Sequence, residues 1–459
     1  MAVTVVDLAA MAKMLSRVCS VFGGDTMRRD LLRSGLGSLV IKIAHAALAF
    51  AVAATLARML GPAGYGVYAF ALAVLMIVAL PTQVGLPQLV VRETAKAEAD
   101  GDWALIRGIW RWSNRVVALF AGLALAVVAA ALWVIDPSPR LETLAIGAAL
   151  IPLIALGNLR AASLRGLRRV VLGQLPDSVI RPLILLAILL GAAAIGLDEK
   201  LSVPQAVMGC YVVAAVIAFL SGAAMLRHFC PAEVKQAVPR VTPVAWRQAV
   251  LPLAMITGLQ IVNNQADILI LAVFSSNEDV GIYQAVFQMA MLVVFGLQAL
   301  NQMLQPHLAR LYFQHERERL ERLAKFSARS IAAIAIIPAI NIFIFPREIL
   351  IIVFGDGFER GALPLVVLAA GHLFNSLFGP VAQVLNMSGN EKSTLWCAAI
   401  AALLNIVLNL SLVPNFGTVG AASATASSML IWKILLWRST LEKVRIDTSV
   451  FAFDLRAHK

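Results

Sequence analysis

Lysine and histidine lie three residues apart inside an apolar stretch near the start of the chain. Lys42 and His45 would share one face of a helix, because residues at this spacing lie one turn apart. A charge at the centre of a membrane span costs about 2.5–3.5 kcal/mol on insertion scales, so it normally faces a protein interior or water. The pair therefore predicts a site for an anionic group. The alternative is that the Lys42 ammonium extends to the nearer membrane surface.

A second polar group occurs in a later apolar stretch. Gln260, Asn264 and Asp267 are spaced i, i+4 and i+7, with Asn263 beside them, so a helix would carry them on one face. This pattern predicts polar residues lining a cavity. A hydrogen-bonded seam between two helices is the alternative. Packing is the favoured interpretation for three further polar sets, namely Gln284 with Gln288, Asn375 with Gln383 and Asn386, and Asn405 with Asn409.

Two arginines that lie close to prolines in the sequence are predicted at the cytoplasmic ends of spans. Arg92 follows Pro87, and Arg181 directly precedes Pro182. Arginine suits phosphate recognition because its planar guanidinium donates two parallel hydrogen bonds. These residues are candidates for a cytoplasmic entrance. The alternative is that they only anchor the chain to lipid headgroups.

The sequence lacks the motifs of enzymes that use ATP, a metal or a nucleophilic serine. Glu391-Lys392-Ser393-Thr394 ends like a phosphate-binding loop, but no glycine precedes the lysine. No Gly-x-Ser-x-Gly motif occurs, and the histidines and four cysteines lack metal-ligand spacing. We therefore expect a protein that is not an enzyme, without a metal or cofactor.

Composition indicates what these residues are embedded in. The 459 residues are 60% hydrophobic and 14% charged, with a mean hydropathy of +0.84. Such a chain is an all-α polytopic membrane protein rather than a water-soluble domain. Hydropathy predicts about twelve spans, near 36–58, 66–85, 116–135, 143–160, 179–197, 205–226, 248–273, 281–303, 329–345, 362–386, 395–413 and 417–437.

The basic residues predict orientation rather than nucleic-acid binding, although the net charge is +12. Thirty-two of the 38 lysines and arginines fall in segments on one side of the predicted spans, and only five fall on the other. Because basic loops stay in the cytoplasm, both termini are predicted to be cytoplasmic. Residues 1–33 are predicted to form an amphipathic arm that contacts anionic membrane lipids.

A repeated motif predicts two halves. Gly66-Val67-Tyr68 returns as Gly281-Ile282-Tyr283, which is 215 positions later (281 − 66 = 215). In both places a short polar turn comes before the motif and an apolar helix follows it. Six spans per half imply parallel repeats, with a substrate path between them. The predicted divisions are a bundle at 34–226, a cytoplasmic linker at 227–247, a bundle at 248–437 and a cytoplasmic tail at 438–459.

Several motifs of the chain resemble a known family. They are Ala57-Arg58-Met59-Leu60-Gly61-Pro62-Ala63-Gly64-Tyr65-Gly66-Val67-Tyr68, Val84-Gly85-Leu86, Arg92-Glu93-Thr94-Ala95, Asp267 ahead of Val280-Gly281-Ile282-Tyr283, Phe354-Gly355, and Asn405 followed by Val413-Pro414-Asn415-Phe416-Gly417-Thr418-Val419-Gly420-Ala421-Ala422. Together they resemble the polysaccharide-biosynthesis flippases, which include O-antigen repeat-unit flippases. These belong to the multidrug/oligosaccharidyl-lipid/polysaccharide exporter superfamily. The resemblance covers about residues 30–440.

The resemblance implies two six-helix bundles around a central cavity that opens to each side of a bacterial inner membrane in turn. It implies a substrate of undecaprenyl pyrophosphate that carries a short oligosaccharide. A polysaccharide polymerase and export machinery are candidate partners. An ion-coupled multidrug exporter of the same superfamily is the alternative, and a membrane polysaccharide polymerase or ligase is a further one.

Overall fold

A computed structural model describes residues 25–450, except residues 84, 197 and 315. Within this part of the chain the regular elements are all helical. The first 24 residues of the predicted N-terminal arm and residues 451–459 of the predicted tail lie outside the described residues. Residues 25–33 belong to the first long helix and continue directly into the first span.

The described residues of the first half form ten helices and one π-helical turn. They are α1 (Asp25–Val78), α2 (Leu80–Gln83), α3 (Leu86–Ala99), α4 (Trp103–Val134), α5 (Pro139–Gly147), α6 (Leu150–Gly166), α7 (Val170–Leu175), the π-turn Pro176–Ile180, α8 (Arg181–Ala194), α9 (Asp198–Leu201) and α10 (Pro204–Phe229).

A short helix follows, and the second half comes after it. These elements are α11 (Ala232–Gln236), α12 (Pro243–Phe274), α13 (Asn277–Phe313), α14 (Arg317–Ile344), α15 (Pro346–Phe354), the 3-10 turn Glu359–Gly361, α16 (Ala362–Leu377), α17 (Val381–Met387) and α18 (Glu391–Lys443).

Two of the longest helices are each two spans joined at a glycine. α1 bends at Gly61, where φ is 63°, and α18 bends at Gly417, where φ is 52°. Both values lie in the left-handed region that glycine tolerates best, so the chain reverses without a long loop. We refer to residues 25–60 and 62–78 as the first and second limbs of α1.

The described residues contain enough long helices for twelve membrane crossings. Eight helices are long and apolar enough to span a bilayer, or nine when the bent pair Glu359–Leu377 and Val381–Met387 counts as one span. Dividing α1 and α18 at their glycines and adding the 32-residue α12 gives six crossings in each half. The predicted all-α membrane fold with about twelve spans is confirmed.

This topology gives the bundle two ends of different charge. One end, called the basic end below, carries the connections rich in lysine and arginine, from Arg92 to Arg445. The opposite end carries the bends at Gly61 and Gly417, and the connection that contains α15.

The predicted linker at residues 227–247 packs against the first half. The Arg240 backbone N–H donates to the Ala104 carbonyl oxygen at 3.0 Å, and the Arg107 guanidinium donates to the Ala237 carbonyl oxygen at 2.6 Å. Trp246 is buried, with its ring centroid 5.4 Å from that of Trp112. The linker is therefore held against the first half from Ala237 to Trp246.

The predicted tail also packs against the protein. The helix continues to Lys443, and residues 444–450 then fold back towards the break between α16 and α17. The Val450 N–H donates to the Leu377 carbonyl oxygen at 2.9 Å, and the Thr448 hydroxyl donates to the Phe378 carbonyl oxygen at 3.1 Å. These bonds satisfy carbonyls that the interrupted helix leaves without partners.

Candidate functional site

Lys42 and His45 lie on the first limb of α1, and both side chains are exposed. The Nδ1 atom of His45 lies 3.1 Å from the Ser178 carbonyl oxygen, which belongs to the π-turn of the fifth span. The pair is therefore next to an irregular part of the helix, where carbonyls deviate from the regular α-helical pattern. Within the described residues Lys42 has no carboxylate partner.

The polar face predicted on α12 is divided between two environments. Gln260 and Asn264 are exposed, whereas Asp267 is 5% exposed and lies inside the second half. Asp267 is therefore buried, although it lies on the same helix face as the exposed Gln260 and Asn264. Gln260 and Asn264 retain the properties of cavity-lining groups, and Asp267 follows the alternative of a hydrogen-bonded seam.

The Asp267 carboxylate accepts three hydrogen bonds from three different side chains. Tyr283 donates its hydroxyl at 2.7 Å, Thr425 donates its hydroxyl at 2.6 Å, and Asn409 donates its side-chain amide at 2.8 Å. These groups come from α13 and from the two limbs of α18, so the carboxylate joins three spans to α12. Three donors compensate much of the cost of burying a charged carboxylate.

Two amide oxygens beside this carboxylate have no hydrogen-bond donor among the described residues. The side-chain carbonyl oxygens of Asn405 and Asn409 are buried and accept no hydrogen bond from described residues. Buried acceptors of this kind normally have a partner. A carboxylate, two amide oxygens and hydroxyls together suit a bound proton or a small hard cation. No cluster of three or more His, Cys, Asp or Glu side chains with metal-binding geometry occurs in the described part of the chain.

The sequence singles out Asp267 and predicts that Asn405 and Asn409 serve packing, and their hydrogen bonds do join neighbouring spans. It does not predict that the asparagines meet Asp267, and it does not single out Thr425. The i, i+4 spacing of the two asparagines was the available signal. Tyr283 belongs to the repeated motif Gly281-Ile282-Tyr283, and this membership was a second signal that it has a specific role.

Arg181 lies deeper in the bundle than the sequence predicted. Apolar residues suggested a span that begins near 179, but helical structure starts at Val170, so Arg181 falls near the middle of the crossing. Its guanidinium forms an ion pair with Asp177 at 3.3 Å and lies 5.6 Å from the Tyr211 ring centroid. The polar residues of the π-turn interrupt the apolar pattern, so the hydropathy of the sequence does not predict the first part of this span.

Arg92 has a different environment. It lies on the short helix α3 at the basic end, and its side chain is 57% exposed. Its contact at 3.0 Å is with the neighbouring Glu93. An exposed pair of this kind contributes little to stability, so Arg92 remains accessible to an external anion. The structure thus places the two predicted entrance arginines at different depths.

Arg160 is a further basic residue inside the first half. Its guanidinium carbon lies 3.6 Å from the ring centroid of Phe219 on α10, a cation–π geometry. Its Nη1 atom is buried without a hydrogen-bond partner among the described residues. In the sequence, Arg160 counts among the 32 basic residues that predict orientation.

Comparisons with known proteins agree with this fold. The profile of the family described as "Polysaccharide biosynthesis protein" matches residues 31–312, and that of the MatE family matches residues 252–410. The probable low-salt glycan biosynthesis flippase Agl15 of Haloferax volcanii is 29% identical over 173 residues, which are 37% of this chain and 36% of that relative. The match therefore spans little more than a third of the relative's length.

Two solved structures show the same fold at low sequence identity. An inward-facing multidrug resistance MATE transporter of the MOP superfamily has a TM-score of 0.72 at 12% identity, covering 89% of this chain and 99% of that chain. The lipid II flippase MurJ, in an inward closed conformation, has a TM-score of 0.61 at 13% identity, covering 85% and 87%. These relatives are named as flippases and transporters, in agreement with the expectation that the chain is not an enzyme.

The family profile covers more than half of the sequence and includes the Gly66 motif, Lys42 and Asp267. The chain belongs to the polysaccharide biosynthesis protein family.

Proposed function

We propose that this protein moves a polyprenyl-pyrophosphate-linked oligosaccharide from the cytoplasmic to the outer leaflet of a bacterial inner membrane. Undecaprenyl pyrophosphate is the expected carrier, and surface polysaccharide or O-antigen synthesis is the expected use. The observation that carries the proposal is Lys42, an exposed cation on an apolar span with no carboxylate partner in the described residues.

A charge in this position needs water or an anion, since lipid would make it costly. A pyrophosphate group supplies the anion, and an ammonium binds it as a compact point charge. The attraction is strongest in a poorly hydrated cavity, where water screens charges less. Lys42 and His45 are therefore assigned to the pyrophosphate.

The exposed amides of α12 suit the glycan part of such a substrate. Gln260 and Asn264 each provide hydrogen-bond donors and an acceptor, which match the hydroxyl groups of sugars. They lie on the first span of the second half, as Lys42 lies on the first span of the first half. We propose that residues 34–226 and 248–437 enclose the substrate path between these two spans.

Substrate capture is proposed to begin at the basic end, which we assign to the cytoplasm together with both termini. Arg92 is exposed there and is proposed to attract the pyrophosphate and the anionic lipids around it. Arg181 is already paired with Asp177, so its proposed contribution comes further along the path. A polymerase and export machinery are proposed to act on the product.

The test compares Lys42→Ala with Lys96→Ala, a matched loss of an exposed lysine on α3 at the basic end. Each variant is expressed in a strain that lacks the gene, and polymer output is measured at equal protein abundance in the membrane. Lys42→Ala is expected to abolish output, and Lys42→Arg to retain part of it, because charge is kept while geometry changes. Lys96→Ala is expected to retain normal output.

The same variants are then compared in liposomes that contain a fluorescent polyprenyl-pyrophosphate oligosaccharide. Loss of transfer to the opposite leaflet by Lys42→Ala would assign the defect to transport itself. Full transfer and full polymer output by Lys42→Ala would contradict the proposal and assign Lys42 to membrane anchoring.

An ion-coupled multidrug exporter is the second candidate. The observation that favours it is the oxygen-rich cage around Asp267, together with the MatE profile match over residues 252–410. Lys42 argues against it, because a cation in the path repels cationic drugs. Uptake of an organic cation into inverted vesicles, lost in Asp267→Asn and independent of Lys42, would support the exporter instead.

A further inference from the structure

Arg58, at the end of the first limb of α1, binds the end of a helix in the other half. Its Nε donates to the Val353 carbonyl oxygen at 2.9 Å, and its Nη2 donates to the Ile352 carbonyl oxygen. Both carbonyls are in the last turn of α15, where a helix has no partners of its own to offer them. The positive guanidinium also complements the negative end of the helix dipole.

Arg140 makes the same type of contact at a second place. It lies in the first turn of α5, and its Nη1 donates to the Ala272 carbonyl oxygen in the last turn of α12 at 3.0 Å. Its Nε donates to the side-chain oxygen of Asn277 at 2.6 Å, at the start of α13. The guanidinium also lies 4.7 Å from the Phe70 ring centroid, which fixes it from the first half.

These two arginines lie on either side of the region where the two halves are in contact, at the end of the bundle opposite the basic end. The connection that contains α15 lies on the turn between the two limbs of α1. The ring centroids of Phe354 and Phe50 are 6.1 Å apart, and those of Phe358 and Tyr65 are 6.5 Å apart. All of these contacts join the first half to the second, so they must separate if a path is to open here.

Another arginine at this end shows that the pattern is not a general property of its surface charges. Arg360 forms an ion pair with Glu278 at 3.2 Å, and both residues belong to the second half. Its side chain is 74% exposed. Arg360 therefore provides a charge at the same end without connecting the two halves.

We propose that Arg58 and Arg140 form a latch that holds the two halves closed at the end opposite the basic residues. Each guanidinium leaves two backbone or amide oxygens without donors when the halves separate, so opening requires both arginines to release helix ends. Hydrogen bonds from a charged group are stronger than those between neutral groups. The latch thereby sets the ratio of closed to open molecules, whatever substrate the protein carries.

The test measures the distance between the two halves at this end in the full-length protein reconstituted in liposomes. Spin labels are placed at the exposed residues Lys200 and Phe416 through Lys200→Cys and Phe416→Cys, after all four native cysteines are replaced by serine. Pulsed electron–electron double resonance then gives the populations of short and long distances between the two labels. This readout needs no substrate, so it is independent of the proposed transport activity.

Arg58→Gln and Arg140→Gln are each expected to raise the ratio of long to short distances by about tenfold, and together by more, because charged hydrogen bonds are lost. Arg360→Gln is the matched control and is expected to leave the ratio unchanged. Arg58→Lys and Arg140→Lys keep the charge and lose the second donor, so an intermediate shift is expected, and they serve if a Gln variant does not fold. An unchanged ratio in folded Arg58 and Arg140 variants would overturn the latch.

Discussion

Gly66 and Gly281 lie against each other with their backbones in direct contact. A Cβ atom added to Gly66 would be 2.9 Å from the Gly281 amide nitrogen, and one added to Gly281 would be 2.8 Å from the Gly66 amide nitrogen. The same Cβ atoms would meet the carbonyl oxygens of Asn277 at 1.8 Å and Pro62 at 1.9 Å. The contact is therefore reciprocal, as expected when two copies of one motif meet across a pseudo-two-fold axis.

This contact predicts that alanine is poorly tolerated at either glycine. Gly66→Ala and Gly281→Ala force a methyl group into backbone atoms of a neighbouring helix, which cannot move aside as a side chain could. Overpacking of this kind costs about 1–3 kcal/mol, and a backbone contact belongs at the upper end of that range. The melting temperature of the purified protein in detergent measures the loss.

Gly122→Ala is the matched control for these two substitutions. Gly122 lies within the helix α4, and a Cβ atom there would have no neighbour within 4 Å. Gly122→Ala is expected to leave the melting temperature unchanged or to raise it slightly, because alanine has a higher helix propensity than glycine. Equal melting temperatures for all three variants would mean that the halves separate easily at Gly66.

The tyrosines of the repeated motif mark where the two halves differ. Tyr283 donates to Asp267, whereas the ring of Tyr68 packs at 6.4 Å from that of Tyr211, over which the Arg181 guanidinium lies. The repeat thus places a tyrosine beside a buried carboxylate in one half and near a cation in the other. The two copies of the motif therefore differ in the charged group that lies near their tyrosines.

Most of the spans could be predicted from the sequence because they depend on local apolar composition, but the start of the fifth span at Val170 could not, because the polar residues of the π-turn interrupt that pattern. Apolar length predicts the number of crossings, and the repeated Gly66 and Gly281 motifs predict a duplication. Lys42 and Asp267 could be singled out because charges are rare in such segments.

Long-range contacts could not be predicted in the same way. The cage around Asp267 brings in Asn409, which is 142 positions away, and Thr425, which is 158 positions away. Nothing local to these residues specifies that separation. The Arg58 contact with Val353 spans 295 positions and depends on how the two halves meet. Such contacts follow from tertiary packing rather than from local pattern.

The hydrogen bonds to Asp267 predict that Thr425→Val lowers the stability of the protein. Valine keeps the shape of threonine and removes the hydroxyl that donates to the carboxylate at 2.6 Å. The loss of a donor to a buried charge is expected to cost about 1.5–3 kcal/mol. Thr440→Val is the control, because within the described residues its buried hydroxyl donates only to the Leu436 carbonyl oxygen of its own helix. Thermal unfolding that is equally affected by both variants would show that Asp267 does not depend on Thr425.

Lys433 predicts opposite effects on stability and on transport. It is 3% exposed within α18, and its Nζ donates to the Gly379 carbonyl oxygen at 3.4 Å. No carboxylate pairs with it in the described residues, so its charge is costly and indicates a function. Lys433→Met is expected to raise the melting temperature and to lower transport, whereas the exposed Lys392→Met should change neither. A Lys433→Met protein with normal transport would indicate that this lysine only supports the break at Gly379.

The distribution of charge predicts which end of the bundle faces the cytoplasm. The basic end carries most of the lysines and arginines, and basic connections remain on the side where the chain is made. Reporter fusions after Lys200 and after Asn277 are therefore expected to be active in the periplasm, because both positions lie at the opposite end. A fusion after Lys443, which ends the last helix at the basic end, is the control and is expected to report the cytoplasm. Cytoplasmic activity of the first two fusions would reverse the orientation, and the arginine latch would then close the cytoplasmic side.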